Sequence, residues 1–255
     1  MKKKIRKGII LAGGLGTRLH PLTKVVNKHL LPIYDKPMIF YPLSTLKSLG
    51  IKDILLISDK FSINQFKNLF QSGKKIGLNL KYKIQNKPNG IAEAYILAKK
   101  FLNSTPSVLI LGDNIFFGSN LNNIFKEACK SKNSTIFTYS VSKPNQYGVF
   151  KTKNKHRKII EKPKKFISNK AVVGIYFLDQ NAPTYASKLK YSKRGELEIS
   201  EMNNIYLKKK STKVVNLDKG IAWLDTGTFD GLLNASNFIK TIQERQNEKI
   251  ADLNE

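Results

Sequence analysis

The residues best suited to chemistry sit near the start of the chain. From Gly8 to Pro32 the sequence reads GIILAGGLGTRLHPLTKVVNKHLLP, with an apolar run, Gly8 to Ala12, leading straight into Gly13, Gly14 and Gly16. Glycines at that density let a backbone turn sharply and bring its N–H groups close to an anion. Arg18 follows and Lys28 comes ten residues later, adding a planar fork and a point charge, the two usual side-chain answers to phosphate oxygens. A dinucleotide fingerprint would need a third glycine where Leu19 stands, and a Walker loop would need Gly-Lys-Ser/Thr, which the segment lacks. An ordinary strand-to-helix turn with incidental glycines accounts equally well for the trio taken alone.

Carboxylates come next. Asp113 follows the apolar run Ser107 to Leu111, in Gly112-Asp113-Asn114, and Asp225 lies in Trp223-Leu224-Asp225-Thr226-Gly227. Either one alone reads as an aspartate beginning a turn. Two carboxylates at strand ends, however, suit a hard, oxygen-seeking cation. Lys162, in Glu161-Lys162-Pro163, reads by itself as an exposed charged turn, and Gln85 as a surface glutamine whose amide is able to complement a pyrimidine edge. Arg194 and Glu198 read equally as ligand contacts or as a salt bridge. With three histidines and one cysteine, the chain offers no Ser/His/Asp or Cys/His constellation.

The elements that must position these residues follow from apolar periodicity. Ile39, Phe40, Leu43, Leu46 and Leu49 recur at helical spacing and Gly50 closes the pattern. Strands are expected at 53–58, 80–85 and 107–111, and helices at 64–70 and 91–102. Strands alternating with helices predict an α/β fold with a doubly wound, mostly parallel sheet and ligands at the carboxyl ends of its strands. From about Thr135 short runs at 135–141, 147–151, 158–161 and 171–178 predict a mixed or antiparallel part. Helices return at 181–188, 198–208 and 228–246, with strands at 213–217 and 221–224. No repeat or linker divides the chain. A single domain is expected, with parts at about 1–134, 135–227 and 228–255.

Composition excludes several classes. At 41% hydrophobic residues the 255-residue chain can bury a substantial core. The formal charge of +27 would favour nucleic acid if the lysines clustered, but they are scattered in twos and threes, as at Lys2 to Lys4, Lys74 and Lys75, and Lys208 to Lys210. A solvated lysine-rich surface is expected, with no nucleic-acid partner. No apolar stretch is long enough to span a bilayer, and the basic start leads into an apolar run too short for a signal peptide. The single Cys129 permits no intrachain disulfide. A cytoplasmic protein is expected.

The arrangement LAGGxGTRL-x-P followed by K-x-LLP is more specific than its glycines, and it resembles the signature of sugar-phosphate nucleotidyltransferases. The resemblance continues in YDKPMIFYPLSTL, LGDN, YGV, EKP, RGELEI and WLDTGT, and is nearest to the thymidylyl-transferring members. It implies a Rossmann-like nucleotidyltransferase fold with a sugar-binding elaboration, and Mg²⁺-dependent transfer of dTMP from dTTP to α-D-glucose 1-phosphate. That reaction opens the route to dTDP-rhamnose and related surface sugars.

Residue by residue, the resemblance implies that Leu11, Gly13, Gly14, Gly16, Thr17, Arg18, Lys28, Gln85, Gly90 and Asp113 bind the nucleotide. Asn114, Gly148, Glu161, Lys162, Asn169, Val173, Arg194 and Glu198 would surround the sugar phosphate. Asp113 and Asp225 would hold the metal, and Arg18, Lys28, Lys162 and Asp113 would carry catalysis. His29 and Glu93 stand where glutamine is usual, Lys170 where tyrosine is, Val173 where threonine is common and Phe229 where histidine is; Lys170 and Val173 bear on hexose selectivity. A homo-oligomer is implied, but the chain ends soon after Gln246, short of the terminal helices that form the family's tetramer interface and regulatory site. Neither tetramer nor feedback inhibition is therefore expected to carry over. Rival readings are a uridylyl- or cytidylyltransferase, a non-catalytic nucleotide-sugar sensor and, from charge alone, a nucleic-acid binder.

Overall fold

The computed structural model describes residues 5–154 and 156–253; the basic run Lys2 to Lys4 lies outside them. Along the chain come β1 (Lys7–Leu11), β2 (Pro32–Ile33), β3 (Lys36–Pro37), α1 (Phe40–Ser48), β4 (Asp53–Ser58), α2 (Ile63–Phe70), β5 (Asn79–Ile84), α3 (Glu93–Leu102), β6 (Ser107–Leu111), β7 (Asn114–Phe117), α4 (Leu121–Lys130), β8 (Ser134–Ser140), β9 (Gly148–Lys153), β10 (His156–Glu161), β11 (Lys170–Leu178), α5 (Ala182–Ala186), α6 (Ile199–Lys208), β12 (Thr212–Asn216), β13 (Ala222–Asp225) and α7 (Phe229–Gln246).

Period-two alternation explains why helices cover both faces of the main sheet. On β1, Ile10 packs in one core layer and Ile9 and Leu11 in the other; on β4 the same split separates Ile54 and Leu56 from Leu55 and Ile57. Such strands, apolar on both sides, must be covered on both sides. The first layer is completed by Leu43 and Leu46 of α1, Phe66 of α2 and Phe125 of α4, the second by Tyr95 of α3, Ala182 of α5 and Met202 of α6. A smaller cluster joins Ala235 and Ile239 of α7 to Ile33, Met38, Tyr41 and Ile115.

The main sheet runs β10-β9-β11-β6-β1-β4-β5, with β8 also pairing β11 and β12 pairing β8. Strands β6, β1, β4 and β5 are mutually parallel, with Leu11 beside both Ile57 and Leu111. Their carboxyl ends therefore share one edge, which receives the glycine segment after β1, Gln85 after β5 and Asp113 after β6. At β11 the direction reverses, antiparallel to β6, and β9 and β10 extend that mixed side.

The expected elements recur within a few residues of their predicted ends, while β2, β3, β7 and α4 go beyond the expectation. The four-residue β7 is stabilised by antiparallel pairing with the distant β13, which sets Asp225 opposite Asn114. No local pattern carries that partnership. Among the described residues, no helix is long and apolar enough to cross a membrane.

Candidate active site

The glycine segment earns its composition at two positions. Gly16 is left-handed, at φ +59, and a Cβ there would meet Thr23 at 3.0 Å; Thr23 Oγ1 in turn donates to Gly16 O at 2.7 Å. Gly14, at φ +100, also lies where L side chains rarely go. The short helical turn Thr17–Leu19 follows, projecting Arg18 outward while Leu19 is buried. Asn27 ties the segment together, with Nδ2 donating to Ala12 O at 3.3 Å and Ser62 Oγ at 3.1 Å, and Oδ1 accepting the His29 N–H at 2.9 Å. Lys28, held between them, points its ammonium at Asp113.

Four charged groups meet at this edge. Lys28 Nζ pairs with Asp113 Oδ2, while Asp113 Oδ1 accepts from Asn114 Nδ2 at 3.0 Å. Thr226 stitches β13 to the same place, its N–H and hydroxyl both donating to Asp113 O at 3.2 and 2.8 Å. Asp225 Oδ1 accepts the Gly227 N–H at 3.1 Å, and Arg18 lies over Gly227, where a Cβ would come within 2.5 Å of its Nη2. Burial works against ionisation of Asp113, but the charges of Lys28 and His29 and the hydrogen bonds from Lys28 and Asn114 together hold the carboxyl below the usual range. Asp225 goes the other way, raised by burial and then by the charge of Asp113.

That opposition bears on a metal. Among the described residues no three His, Cys, Asp or Glu side chains group as a ligand set, so a cation here would take two carboxylates and draw its other oxygens from substrate and water, the arrangement magnesium commonly adopts. Two neighbouring carboxylates, one held ionised and the other penalised for ionising beside it, fit such an ion.

Beside this cluster opens a cleft of about 180 Å³ whose lining includes Asn114, Gly148, Glu161, Lys162, Arg194 and Glu198. Gly148 and Glu161 are paired across β9 and β10, and a Cβ on Gly148 would lie 3.2 Å from Glu161 Oε2. Arg194 is within ion-pair reach of Glu161 at 3.4 Å, Glu196 at 2.7 Å and Glu198 at 3.5 Å. It is therefore engaged by carboxylates, as the salt-bridge reading, one of the two open for it, would have it. Glu161 is nonetheless pushed above the usual carboxylate range by burial and by the Glu198 charge. Lys162 has no carboxylate partner among the described residues. Its backbone sits at φ +39, with its N–H bonded to Tyr147 O at 3.0 Å. A left-handed lysine is a strained conformation of the kind that gathers at functional sites.

Gln85, but not Gly90, lines a second cleft region. Its volume is about 290 Å³ and its lining includes Gly14, Lys28, Gln85 and Pro88. Gln85 is 5% exposed. Gly90 is left-handed, at φ +105, and a Cβ there would strike Leu197 O at 2.5 Å; Leu197 N–H donates to Asn89 O at 2.7 Å. Leu11, which ends β1, is buried beneath Gly13.

Two expected sugar contacts are placed differently. Val173 is wholly buried in the first core layer, since alternation along β11 turns Val172 and Gly174 toward the cleft and Val173 away. Asn169 is exposed and outside the cleft lining, its carbonyl accepting the Val141 N–H at 2.9 Å. Conversely, Gln146, Tyr147, Tyr176, Ser200 and Asn203 line the cleft without having been expected there. Ser200 and Asn203, three apart on α6, put polar groups on its buried face, a pattern visible in the sequence. Both amide atoms of Asn203 are buried with no hydrogen-bond partner.

Residues 7–242 match the model of the nucleotidyl transferase family. A glucose-1-phosphate thymidylyltransferase of Xanthomonas campestris pv. campestris is 49% identical over 94% of this chain and 83% of its own length. One from Mycolicibacterium smegmatis is 47% identical over 96% and 85%. The crystal structure of a Bacillus anthracis protein assigned as a glucose-1-phosphate thymidylyltransferase, in complex with sucrose, superposes with a TM-score of 0.84 at 39% identity, covering 91% of this chain and 94% of that one.

Proposed function

The chain belongs to the nucleotidyl transferase family, among its glucose-1-phosphate thymidylyltransferases, and from that premise we propose that it transfers a thymidylyl group from dTTP to glucose 1-phosphate, releasing pyrophosphate. A phosphate oxygen of the sugar attacks the α-phosphorus of dTTP. The new P–O bond forms as the bond to pyrophosphate breaks, and the nucleophile is already anionic, so no proton need be removed from it. The work lies in bringing anions together and in line.

The single observation that supports this reading most is the convergence of Arg18, Lys28, Asp113 and Asp225 on one sheet edge, between the glycine segment and the Glu161–Lys162 cleft. In this scheme the glycine segment and Arg18 receive the triphosphate and Lys28 neutralises it. Lys162, in no ion pair among the described residues, aligns the attacking phosphate, while Glu161 accepts from and Asn114 donates to sugar hydroxyls. Asp113 and Asp225 hold a magnesium ion, which when bound supplies further positive charge to the phosphates. We place the reaction in the cytoplasm, since a chain with one cysteine, Cys129, forms no intrachain disulfide and needs no oxidising compartment.

Pyrophosphate release from purified protein with Mg²⁺ and glucose 1-phosphate, run in parallel with dTTP, UTP, CTP and ATP, tests the reading. Release favouring dTTP is expected; folded protein that releases none with any nucleotide overturns it.

A further inference from the structure

Gln85 Nε2 donates to Glu93 Oε2 at 2.6 Å, and Asn89 Nδ2 donates to the other oxygen, Glu93 Oε1, at 2.8 Å. Glu93 opens α3, so its position is set by the helix start as well as by Asn89. An ionised carboxylate only accepts, whereas an amide has one accepting and one donating end. Glu93 therefore fixes which end of the buried Gln85 amide faces it, namely the nitrogen. The oxygen is turned the other way, toward Gly13, where a Cβ would lie 2.6 Å from Gln85 Oε1. Among the described residues no donor is bonded to that oxygen. The amide is thus oriented and left with one unused acceptor and one unused N–H.

Those two groups match one class of base. Thymine and uracil present an N–H flanked by carbonyls, which an amide meets with its oxygen and an adjacent N–H. Cytosine presents a ring nitrogen acceptor beside an amino donor, and would require the amide to be turned over. Turned over, Gln85 would set its own oxygen against the Glu93 carboxylate, two acceptors facing each other where a 2.6 Å bond stood.

We propose that Glu93 is a positioning residue for base selection, locking the Gln85 amide in the orientation that reads thymine or uracil and rejects cytosine. The inference deepens the thymidylyltransferase reading and rests on Gln85 meeting the base. A glutamine at position 93 is able to donate as well as accept, so it no longer enforces one orientation.

The test compares kcat/KM for dTTP with kcat/KM for dCTP, at fixed glucose 1-phosphate, in wild type, E93Q, E93A and Q85L. In E93Q and E93A the dTTP:dCTP ratio is expected to fall by about tenfold or more, the scale on which a mispaired buried polar group discriminates, with the change carried mainly in the KM values. A ratio unmoved in both Glu93 variants, with Q85L still losing dTTP efficiency at least about tenfold, overturns the lock and keeps Gln85 as the base reader. A ratio and an efficiency unmoved in all three overturn the lock together with the placement of the base at Gln85.

Discussion

Trp223 Nε1 donates to Asn114 Oδ1 at 2.7 Å, joining β13 to β7 in the register that sets Asp225 opposite Asn114. The same oxygen accepts the Gly174 N–H at 3.0 Å, so one buried amide ties three strands together beside Asp113. Asn114→Ala leaves the Trp223 and Gly174 donors without that acceptor. It is expected to lower stability by about 2–3 kcal/mol and to reduce turnover. Because Trp223 is the only tryptophan, its fluorescence reports the site directly. Denaturation followed by tryptophan emission checks both effects; wild-type stability and an unchanged spectrum in the variant would refute this role for Asn114.

Burial, and then the charge of Asp113, raise the Asp225 carboxyl, and a cation held by the two would relieve that opposition. Asp225→Asn removes one charge, while its amide oxygen still accepts from Gly227 N–H as the carboxylate did. The variant is therefore expected to melt at or above the wild-type temperature without metal, yet to lose turnover by about 100-fold or more, the scale of losing a charge-stabilising group from an active site. Chelation with EDTA should abolish wild-type activity and added Mg²⁺ restore it. Near-normal turnover in Asp225→Asn would remove this residue from the metal site.

Acid stability is expected to depend on His29. Its imidazole is fully enclosed, packed so closely on Gly112 that a Cβ there would lie 2.6 Å from its ring, and burial, aided by the Lys28 charge, lowers its pKa from the ordinary 6.5 to about 3. The unfolded chain thus takes up a proton below pH 6.5 that the folded protein refuses. The stability this group contributes is complete above that value and is lost as pH falls toward 3, at about 1.4 kcal/mol per pH unit. His29→Gln carries no such proton, and its amide is able to donate to Asn27 Oδ1, now 2.8 Å from the imidazole Nδ1. Urea midpoints measured from pH 7 to pH 4.5 should fall less steeply in the variant; parallel curves would show that another group governs acid unfolding.

Different parts of this molecule were legible to different degrees. The strands Asp53–Ser58 and Ser107–Leu111 match their predicted bounds because a strand buried on both faces is written as an unbroken apolar run. The meeting of Asp113 with Asp225 is another matter. It depends on β7 pairing with β13 across distant parts of the chain; two strand-end carboxylates suggested a shared cation, and the family resemblance assigned them to one site. Val173 shows how a site list read without register fails to say which face a residue takes: one step along β11 separates a cleft-lining Val172 from a core-filling Val173. Asn203 and Glu93 were missed as site residues because polar groups on a helix say nothing of their partners until the helix is packed.

Arg194 contributes to the electrostatics of the cleft proposed for the sugar. It lies 3.4 Å from Glu161 and 3.5 Å from Glu198, and the Glu161 carboxyl, already raised by burial and by the Glu198 charge, has Arg194 among the groups that lower it. Removing the guanidinium in Arg194→Ala leaves the two glutamates to repel each other. Glu161 then takes up its proton at higher pH, and less of the carboxylate that accepts from sugar hydroxyls is present at any given acidic pH. The acid limb of kcat/KM for glucose 1-phosphate is therefore expected to move upward, with KM for the sugar rising most below neutrality. Titration of the substrate phosphate is common to both proteins, so the difference between their profiles isolates the cleft. Superimposable acid limbs would show that Glu161 does not act as the ionised acceptor in that cleft.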